Sequence, residues 1–309
     1  ETHAMDSQRL LDVGFLIGLT ESHRRYRDEY GALTRPKPPP SDVGETWSVV
    51  PACARGRRGG AAASCLALIA LDVEMIERRR DGRRFPIRVG IVARVFGNEH
   101  CGSSNAEGKS DGSDDGGGEG GTRVELFNGF VNPGEHLEWW REDAAAEYDF
   151  KTAVHGIERA QLINMRRDGE LVPLRRVQAL VRAVCCDGGF RSDGEALGKL
   201  ASALGGARAV TCLVGHKLSA DLAALSICGP GLRRRVVDTA MAIEERTAID
   251  KGGRRRSSGA SKRAPSLRAL VGQYLGAERA ATFQSGAHAP LADAEATLDV
   301  LVSAIGSIS

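Results

Sequence analysis

The chain has 309 residues, of which 42% are hydrophobic and 5% aromatic, and its formal net charge is +2. No run reaches the roughly 18–20 apolar residues that span a bilayer, and the seven scattered cysteines lack CxxC spacing. These features exclude a membrane span and argue against a disulfide framework or a zinc knuckle, so we expect a soluble protein of a reducing compartment.

In chain order, residues 1–60 are predicted to be an N-terminal extension and linker. An amphipathic helical pattern around residues 10–30 is followed by four prolines between 36 and 40 and by an arginine- and glycine-rich run at 55–60. From residue 61 the pattern becomes that of an α/β domain, which we expect to occupy residues 61–309.

Apolar runs bounded by turn residues predict five strands, at residues 66–73, 88–96, 123–131, 210–214 and 235–238. Apolar residues at helical spacing predict helices at residues 173–184, 220–227, 266–275 and 290–305. Strands first, then alternating helices and strands, indicate a mixed five-stranded α/β sheet flanked by helices. Residues 98–122, rich in glycine and acid, and the basic residues 250–264 are predicted to be disordered insertions in this domain.

Asp72 and Glu74 end the first predicted strand of this domain. Successive side chains of a strand point to opposite faces of the sheet, so two residues that are two positions apart share a face. Asp72 and Glu74 could therefore bind one metal ion between them. Read alone, the pair is weak evidence for a metal site, because acids at a strand end are commonly solvated.

Asp221 follows a strand, the Gly215 turn and the start of a helix, which would return it toward the sheet edge. An ordinary acid in a first helical turn, stabilised by the helix dipole, explains Asp221 as well. Asp293 lies in the first turns of the last helix, which Pro290 opens. On an α-helix, side chains five residues apart point about 140° away from each other. His288 can therefore face the site of Asp293 only if it lies in the loop before the helix.

Five blocks in this order resemble the DEDDh 3′–5′ exonuclease superfamily, and within it the branch of RNA exonuclease 4 and the interferon-stimulated 20 kDa exonuclease. The blocks are ALDVEMI (70–76), YDFKTAVHGI (148–157), LVGHKLSADLAAL (213–225), SLRAL (266–270) and HAPLADAEATL (288–298). The resemblance covers residues 65–305 apart from the two insertions, and it implies an RNase H-like fold.

The resemblance also implies roles. Asp72, Glu74, Asp221 and Asp293 would hold two divalent ions, Mg²⁺ or Mn²⁺, and His288 would deprotonate the attacking water. Crowded carboxylates repel one another unless cations neutralise them, and their hard oxygen atoms prefer hard ions.

Three of the positions that depart from the family pattern bear on recognition of the sugar. Lys151 stands where an arginine often lies near the sugar, His155 where a serine is common and Ala220 where a polar residue often precedes the aspartate. By the resemblance, Met75 and Lys151 would contact the terminal nucleotide; Met75 equally fits a core position.

Several basic and aromatic residues have two interpretations each. The arginines at 78, 79, 80, 83 and 84 either guide a phosphate backbone or form a solvated turn. The basic residues 251–263 would bind RNA or direct nuclear import. Trp139 and Trp140 either stack on bases or pack within the protein.

The sequence therefore predicts a metal-dependent 3′→5′ exoribonuclease acting on single-stranded RNA 3′ ends, in the nucleus or nucleolus, with the cytoplasm or a mitochondrion left open. The polarity and the preference for RNA rest on the resemblance. A DNA exonuclease and a noncatalytic RNA- or ribosome-binding module are the alternatives.

Overall fold

The computed structural model describes residues 2–35, 47–51, 65–97, 121–134, 137–185, 194–205, 207, 209–233, 235–250 and 264–306. The predicted insertions lie almost wholly outside these ranges, as does most of the predicted linker. Among the described helices, none combines the length and the apolar character needed to cross a membrane.

Both strands and helices occur throughout the described part of the chain. The strands are β1 (Ser48–Val49), β2 (Cys65–Arg78), β3 (Arg84–Gly97), β4 (Thr122–Asn132), β5 (Tyr148–Asp149), β6 (Val172–Pro173), β7 (Ala209–Gly215), β8 (Ile227–Cys228) and β9 (Val236–Asp238). The helices are α1 (Thr2–Ser22), α2 (Tyr26–Tyr30), α3 (Thr152–His155), α4 (Arg159–Arg167), α5 (Leu174–Cys185), α6 (Glu195–Ala203), α7 (Leu218–Ala224), α8 (Thr239–Asp250), α9 (Leu267–Leu275), α10 (Ala277–Thr282) and α11 (Pro290–Gly306).

Within the described residues the main sheet has seven strands, in the order β6-β4-β3-β2-β7-β9, with β5 added beside the end of β2. The strands β2, β3 and β4 form an antiparallel meander, whereas β7 and β9 run parallel to β2. The mixed α/β fold class is confirmed, and all five predicted strands are present. The additional strands β5 and β6 have two residues each, too short to leave a pattern in the sequence.

Helices cover both faces of the sheet, and the central strand β2 has apolar side chains on each face. Ala67, Ile69 and Leu71 share a cluster with the buried residues of α5 and α7. Leu66 and Leu68 pack on the opposite face against α1 and α11. The long run 65–71 without charge is typical of a strand that is buried on both sides.

The described part of the N-terminal extension packs against this body. Leu16 and Leu19 are 0% and 5% exposed and join the cluster beneath α1 and α11. The hydroxyl of Tyr30 donates to Asp238 Oδ2 at 2.8 Å, and the Asp238 backbone N–H donates to Thr20 Oγ1 at 3.2 Å. A division at residue 60 stays a prediction, but residues 12–35 contribute to the core.

Candidate functional site

Asp72 and Glu74 lie on β2, on the face of the sheet that α11 covers. Leu66, Leu68 and Ala70 have the same parity along the strand and pack into the cluster under α11. Glu74 is 7% exposed, and Asp72 is partly buried. A register shift directly after Glu74 breaks the alternation, as a β-bulge does, so the pair ends the regular part of the strand.

Asp221 reaches this place from α7, through a tight connection after β7. A Cβ on Gly215 would lie 2.7 Å from Leu218 Cβ, so the turn requires glycine there. Lys217 then adopts left-handed backbone angles, with φ of 63°, and its N–H donates to Asp238 Oδ1 at 3.1 Å. Asp221 is 5% exposed, and its Oδ2 finds no hydrogen-bond partner among the described residues.

Asp293 lies in the first turn of α11 and is 3% exposed. The helix can start so close to the sheet because β3 has a glycine at the point of contact. A Cβ on Gly90 would lie 2.3 Å from the backbone nitrogen of Leu291 and 2.4 Å from the carbonyl carbon of Pro290. Gly90 is also the register partner of Asp72, so this contact sets the first turn of α11 directly beside Asp72.

His288 lies in the loop before α11, where the helix geometry predicts it. Its backbone N–H donates to the carbonyl of Val154 in α3 at 3.1 Å, which ties the loop to the 148–157 block. Its Nδ1 lies 3.2 Å from Asp293 Oδ2, and the side chain is 31% exposed. The amide nitrogen of Gln284 donates to the same Asp293 oxygen at 2.8 Å and lies 3.4 Å from His288 Nδ1.

The carboxyl groups raise one another's pKa values. Burial raises the pKa of Asp72 well above its usual value, and the charges of Asp293 and Glu74 raise it further. Burial also raises the pKa of Asp221, and among the neighbouring charges that of Asp72 raises it most. The pKa of Glu74 rises to about 7 because burial outweighs the opposing effect of His288.

Asp293 differs in having neutral and basic neighbours. Burial raises its pKa, while the hydrogen bond from Gln284 and the charge of His288 lower it. Asp72 and Glu74 thus interact electrostatically both with Asp293 and with Asp221. Four clustered acids with raised pKa values bind protons or cations in preference to staying charged together.

The tightest group of candidate ligands is Glu74, His288 and Asp293, whose ligand atoms all lie within 4.8 Å of one another. Asp72 and Asp221 are outside this trio, although they affect its electrostatics. The unpartnered Oδ2 of Asp221 and the mutually repelling carboxylates fit hard divalent cations. The trio contains His288, whereas the predicted ligand set consists of four acids. The role of each residue stays a prediction.

The two predicted substrate contacts have different surroundings. Met75 is partly buried and packs against the hydrophobic cluster on the α5 side. Lys151 has a left-handed φ of 53°, and its ammonium lies 2.6 Å from Asp149 Oδ2 and 3.9 Å from Glu77 Oε2. His155, the departure from serine, is 3% exposed and accepts a hydrogen bond from the Ile157 N–H at 3.1 Å on Nδ1.

The basic hairpin between β2 and β3 is partly structural. Arg78 is 4% exposed and binds Asp81, and Arg84 pairs with Glu77 at 3.2 Å. Trp139 is fully buried, so it belongs to the core and does not stack on bases. Trp139 lies in a turn. The guanidinium carbon of Arg166 lies 3.8 Å from the ring centroid of the neighbouring Trp140.

The sequence did not identify the residues that hold this arrangement in place. Gly90 carried a signal, because an isolated glycine within a strand often marks a close backbone approach. Gln284, Val154 and Asp238 carried none, since each acts through a contact made by the fold. Asp238 is 0% exposed and joins Tyr30 to the start of α7, which carries Asp221.

Comparisons with protein-family models and with curated proteins find no match to this sequence. Solved structures that resemble it include the catalytic unit of Neurospora crassa Pan2, with its protease and nuclease domain, at 17% identity over 90% of this chain and 32% of that one, with a TM-score of 0.42. A second is the Saccharomyces cerevisiae apo Pan2 pseudoubiquitin hydrolase-RNA exonuclease module in complex with A7 RNA, at 17% identity over 82% and 31% of the two chains, with a TM-score of 0.40. The chain spans about a third of the length of these structures.

Proposed function

We propose that this chain is a metal-dependent 3′→5′ exoribonuclease that removes nucleotides from single-stranded RNA 3′ ends. The observation that carries the proposal is the convergence of four acids from β2, α7 and α11, with a histidine that is about one third exposed and lies 3.2 Å from one of them. A module that merely binds RNA has no physical need for such an acidic centre, because acids repel the phosphates of its ligand.

The residues fit two divalent ions, Mg²⁺ or Mn²⁺. Asp72, Glu74, Asp221 and Asp293 would hold them, and Asp221 Oδ2 is a buried oxygen in need of a partner. When bound, such ions lower the pKa of water and stabilise the charge on the leaving 3′ oxygen. The acids by themselves would repel the substrate, so activity should require the ions.

His288 is proposed as the general base. An Nδ1–H donated to Asp293 Oδ2, which lies 3.2 Å away, would leave Nε2 to accept a proton from water. The exposed third of the side chain allows water and a substrate to approach the ring. Its tie to Val154 holds the loop at the site without fixing the ring itself.

The direct test is trimming of a 5′-labelled single-stranded RNA in Mg²⁺ or Mn²⁺. We expect a ladder that shortens from the 3′ end, and loss of at least a hundredfold in rate for Asp72→Asn and for His288→Ala, typical of removing a metal ligand or a base. Asp143→Asn, which changes an exposed acid outside the site, is the matched control and should trim normally. Unchanged trimming in both site variants would contradict the proposal.

The same assay separates the other candidate functions. Faster trimming of DNA than of RNA of the same sequence would indicate a DNA exonuclease, in which the contacts of Met75 and Lys151 do not select the 2′-hydroxyl. RNA binding without any cleavage in Mg²⁺ or Mn²⁺ would indicate a noncatalytic RNA- or ribosome-binding module.

A role in RNA processing or turnover in the nucleus or nucleolus is proposed from the basic segment 250–264, of which residues 251–263 lie outside those described. Deleting the segment should reduce nuclear entry of a fluorescent fusion or weaken RNA binding. If neither changes, the segment has no part in either process.

A further inference from the structure

Arg88 lies next to the acidic centre on the same face of the sheet. In the ladders of β3 it stands directly opposite Glu74 on β2 and opposite Phe130 on β4. Directly opposed residues have Cβ atoms about 4.5–5.5 Å apart and point to the same face. The guanidinium therefore belongs to the immediate surroundings of the candidate metal site.

The environment of Arg88 differs from that of the other two arginines of β3. Arg84 and Arg94, on the same strand, form ion pairs at 3.2 Å and 2.6 Å with Glu77 and Asp299. Arg88 has no ion pair among the described residues, and its buried Nε has no hydrogen-bond partner there. An unsatisfied buried donor costs about 1–3 kcal/mol, so a side chain kept this way calls for an explanation.

Phe130 provides the support that an ion pair would otherwise give. The Arg88 guanidinium carbon lies 5.3 Å from the centre of the Phe130 ring, within cation–π range. A cation–π contact supports the guanidinium without using its N–H donors. The charge of Arg88 acts on Glu74 from a distance, without a direct contact.

The ligand that fits such a group is a phosphate. A planar guanidinium matches two phosphate oxygens with two parallel N–H donors, and a positive charge beside four acids offsets their repulsion of an RNA backbone. Divalent ions held by the acids would offset the charge of Glu74 and so weaken its attraction for Arg88, which would favour binding of an anion by the guanidinium.

Resting on the proposed function, we propose that Arg88, held by Phe130, binds a backbone phosphate of the RNA beside the scissile bond. Arg88 is then a substrate-binding residue of the acidic centre, next to the metal ligands but not one of them. Its charge repels divalent ions, so removing it should not weaken metal binding.

The test compares Arg88→Gln and Arg88→Lys with the wild type and with Arg94→Gln, which removes a paired cation from the same strand. RNA affinity is measured by fluorescence anisotropy in Ca²⁺ over a range of salt, and Mn²⁺ affinity by calorimetry. For Arg88→Gln we expect RNA binding about tenfold weaker, as for a hydrogen bond to a charged group, and a salt dependence smaller by about 0.7 in log–log slope. Mn²⁺ binding should be equal or tighter, Arg88→Lys should keep the salt slope, and Arg94→Gln should match the wild type.

Two results would overturn the inference. Unchanged RNA affinity and slope in Arg88→Gln, with trimming intact in the wild type, would leave Arg88 as a residue that merely balances the charge of the acids. A wild type that neither binds nor trims RNA would remove the proposed function and this inference together. If Arg88→Gln unfolds, Arg88→Lys decides: a folded Lys variant that keeps the salt slope but binds RNA more weakly, because it has lost the paired donors, supports phosphate binding. A folded Lys variant with unchanged RNA affinity and slope would overturn the inference.

Discussion

Replacing Glu74 with Gln should stabilise the metal-free protein, and increasingly so as the pH rises. The pKa of Glu74 is raised from 4.5 to about 7 in the folded protein. Below about pH 4.5 the carboxyl is protonated in both states and contributes nothing. Between pH 4.5 and 7 the unfolded chain ionises first, so the folded state loses stability as the pH rises, and above pH 7 the loss is complete.

The magnitude follows from the shift. One pKa unit corresponds to about 1.36 kcal/mol, so the raised pKa of Glu74 costs the folded state about 3 kcal/mol at most near pH 8. Each kcal/mol moves the melting temperature by about 2–4 °C in a domain of this size. Glu74→Gln should therefore melt about 6–12 °C above the wild type at pH 8 in EDTA. At pH 4.5 the two proteins should have the same melting temperature.

The measurement is a thermal melt of both proteins between pH 4.5 and 8. The difference between the two is the informative quantity, because His216, whose pKa burial lowers to about 4, changes stability in the opposite direction over part of this range. Glu77→Gln, on the same strand but paired with Arg84, is the control and should show no stabilisation that grows with pH. Saturating Mn²⁺ at 100 times its Kd should add about 2.7 kcal/mol to the wild type and less to Glu74→Gln.

The reasoning is refuted if the melting difference in EDTA stays constant with pH, or if Glu74→Gln is the less stable protein at pH 8. Either result would mean that Glu74 is not held among repelling acids. Because the melts need no substrate, they test the acidic centre independently of any activity.

Three further variants test the residues that support the site. Gly90→Ala should push the first turn of α11 off the sheet, costing about 1–3 kcal/mol in thermal unfolding and at least tenfold in Mn²⁺ affinity, whereas Gly14→Ala, which faces open space on a helix, should be neutral or stabilising. Tyr30→Phe leaves a buried oxygen of Asp238 without its donor and should cost about 1–3 kcal/mol by denaturant unfolding; equal stability would mean that the N-terminal segment does not support α7. Gln284→Ala should lower kcat for RNA trimming while the KM stays within twofold, and an increase in KM alone would assign it to substrate binding.

The centre of the sheet could be predicted because its strands carry their own signal. The run from Leu66 to Leu71 is apolar on both faces, and the strand it forms extends on to Arg78. That extension could not be predicted, since the charged end of β2 is held by pairing across the hairpin and by β5. Helices α3, α4, α6, α8 and α10 were missed too; α3, α4 and α10 bury few apolar side chains or none, so their sequences lack a clear stripe.

The acids could be predicted for a different reason. Asp72, Asp221 and Asp293 each follow a recognisable local pattern, a strand end or a first helical turn, and their order along the chain adds information that no single motif has. Gly90 and Arg88 could not be assigned in the same way. Their importance comes from what stands opposite them in the sheet, which depends on a register that the sequence does not state.

The same register explains how an acidic centre with repelling charges persists in the fold. Packing and hydrogen bonds place two of the acids: Asp293 through the contact of α11 with Gly90, and Asp221 through the link from Tyr30 through Asp238 to the start of α7. The repulsion of a few kcal/mol is thus borne by packing elsewhere in the domain. Cations that bind there remove repulsion without having to build the site, so their binding should stabilise the protein with little change in its backbone.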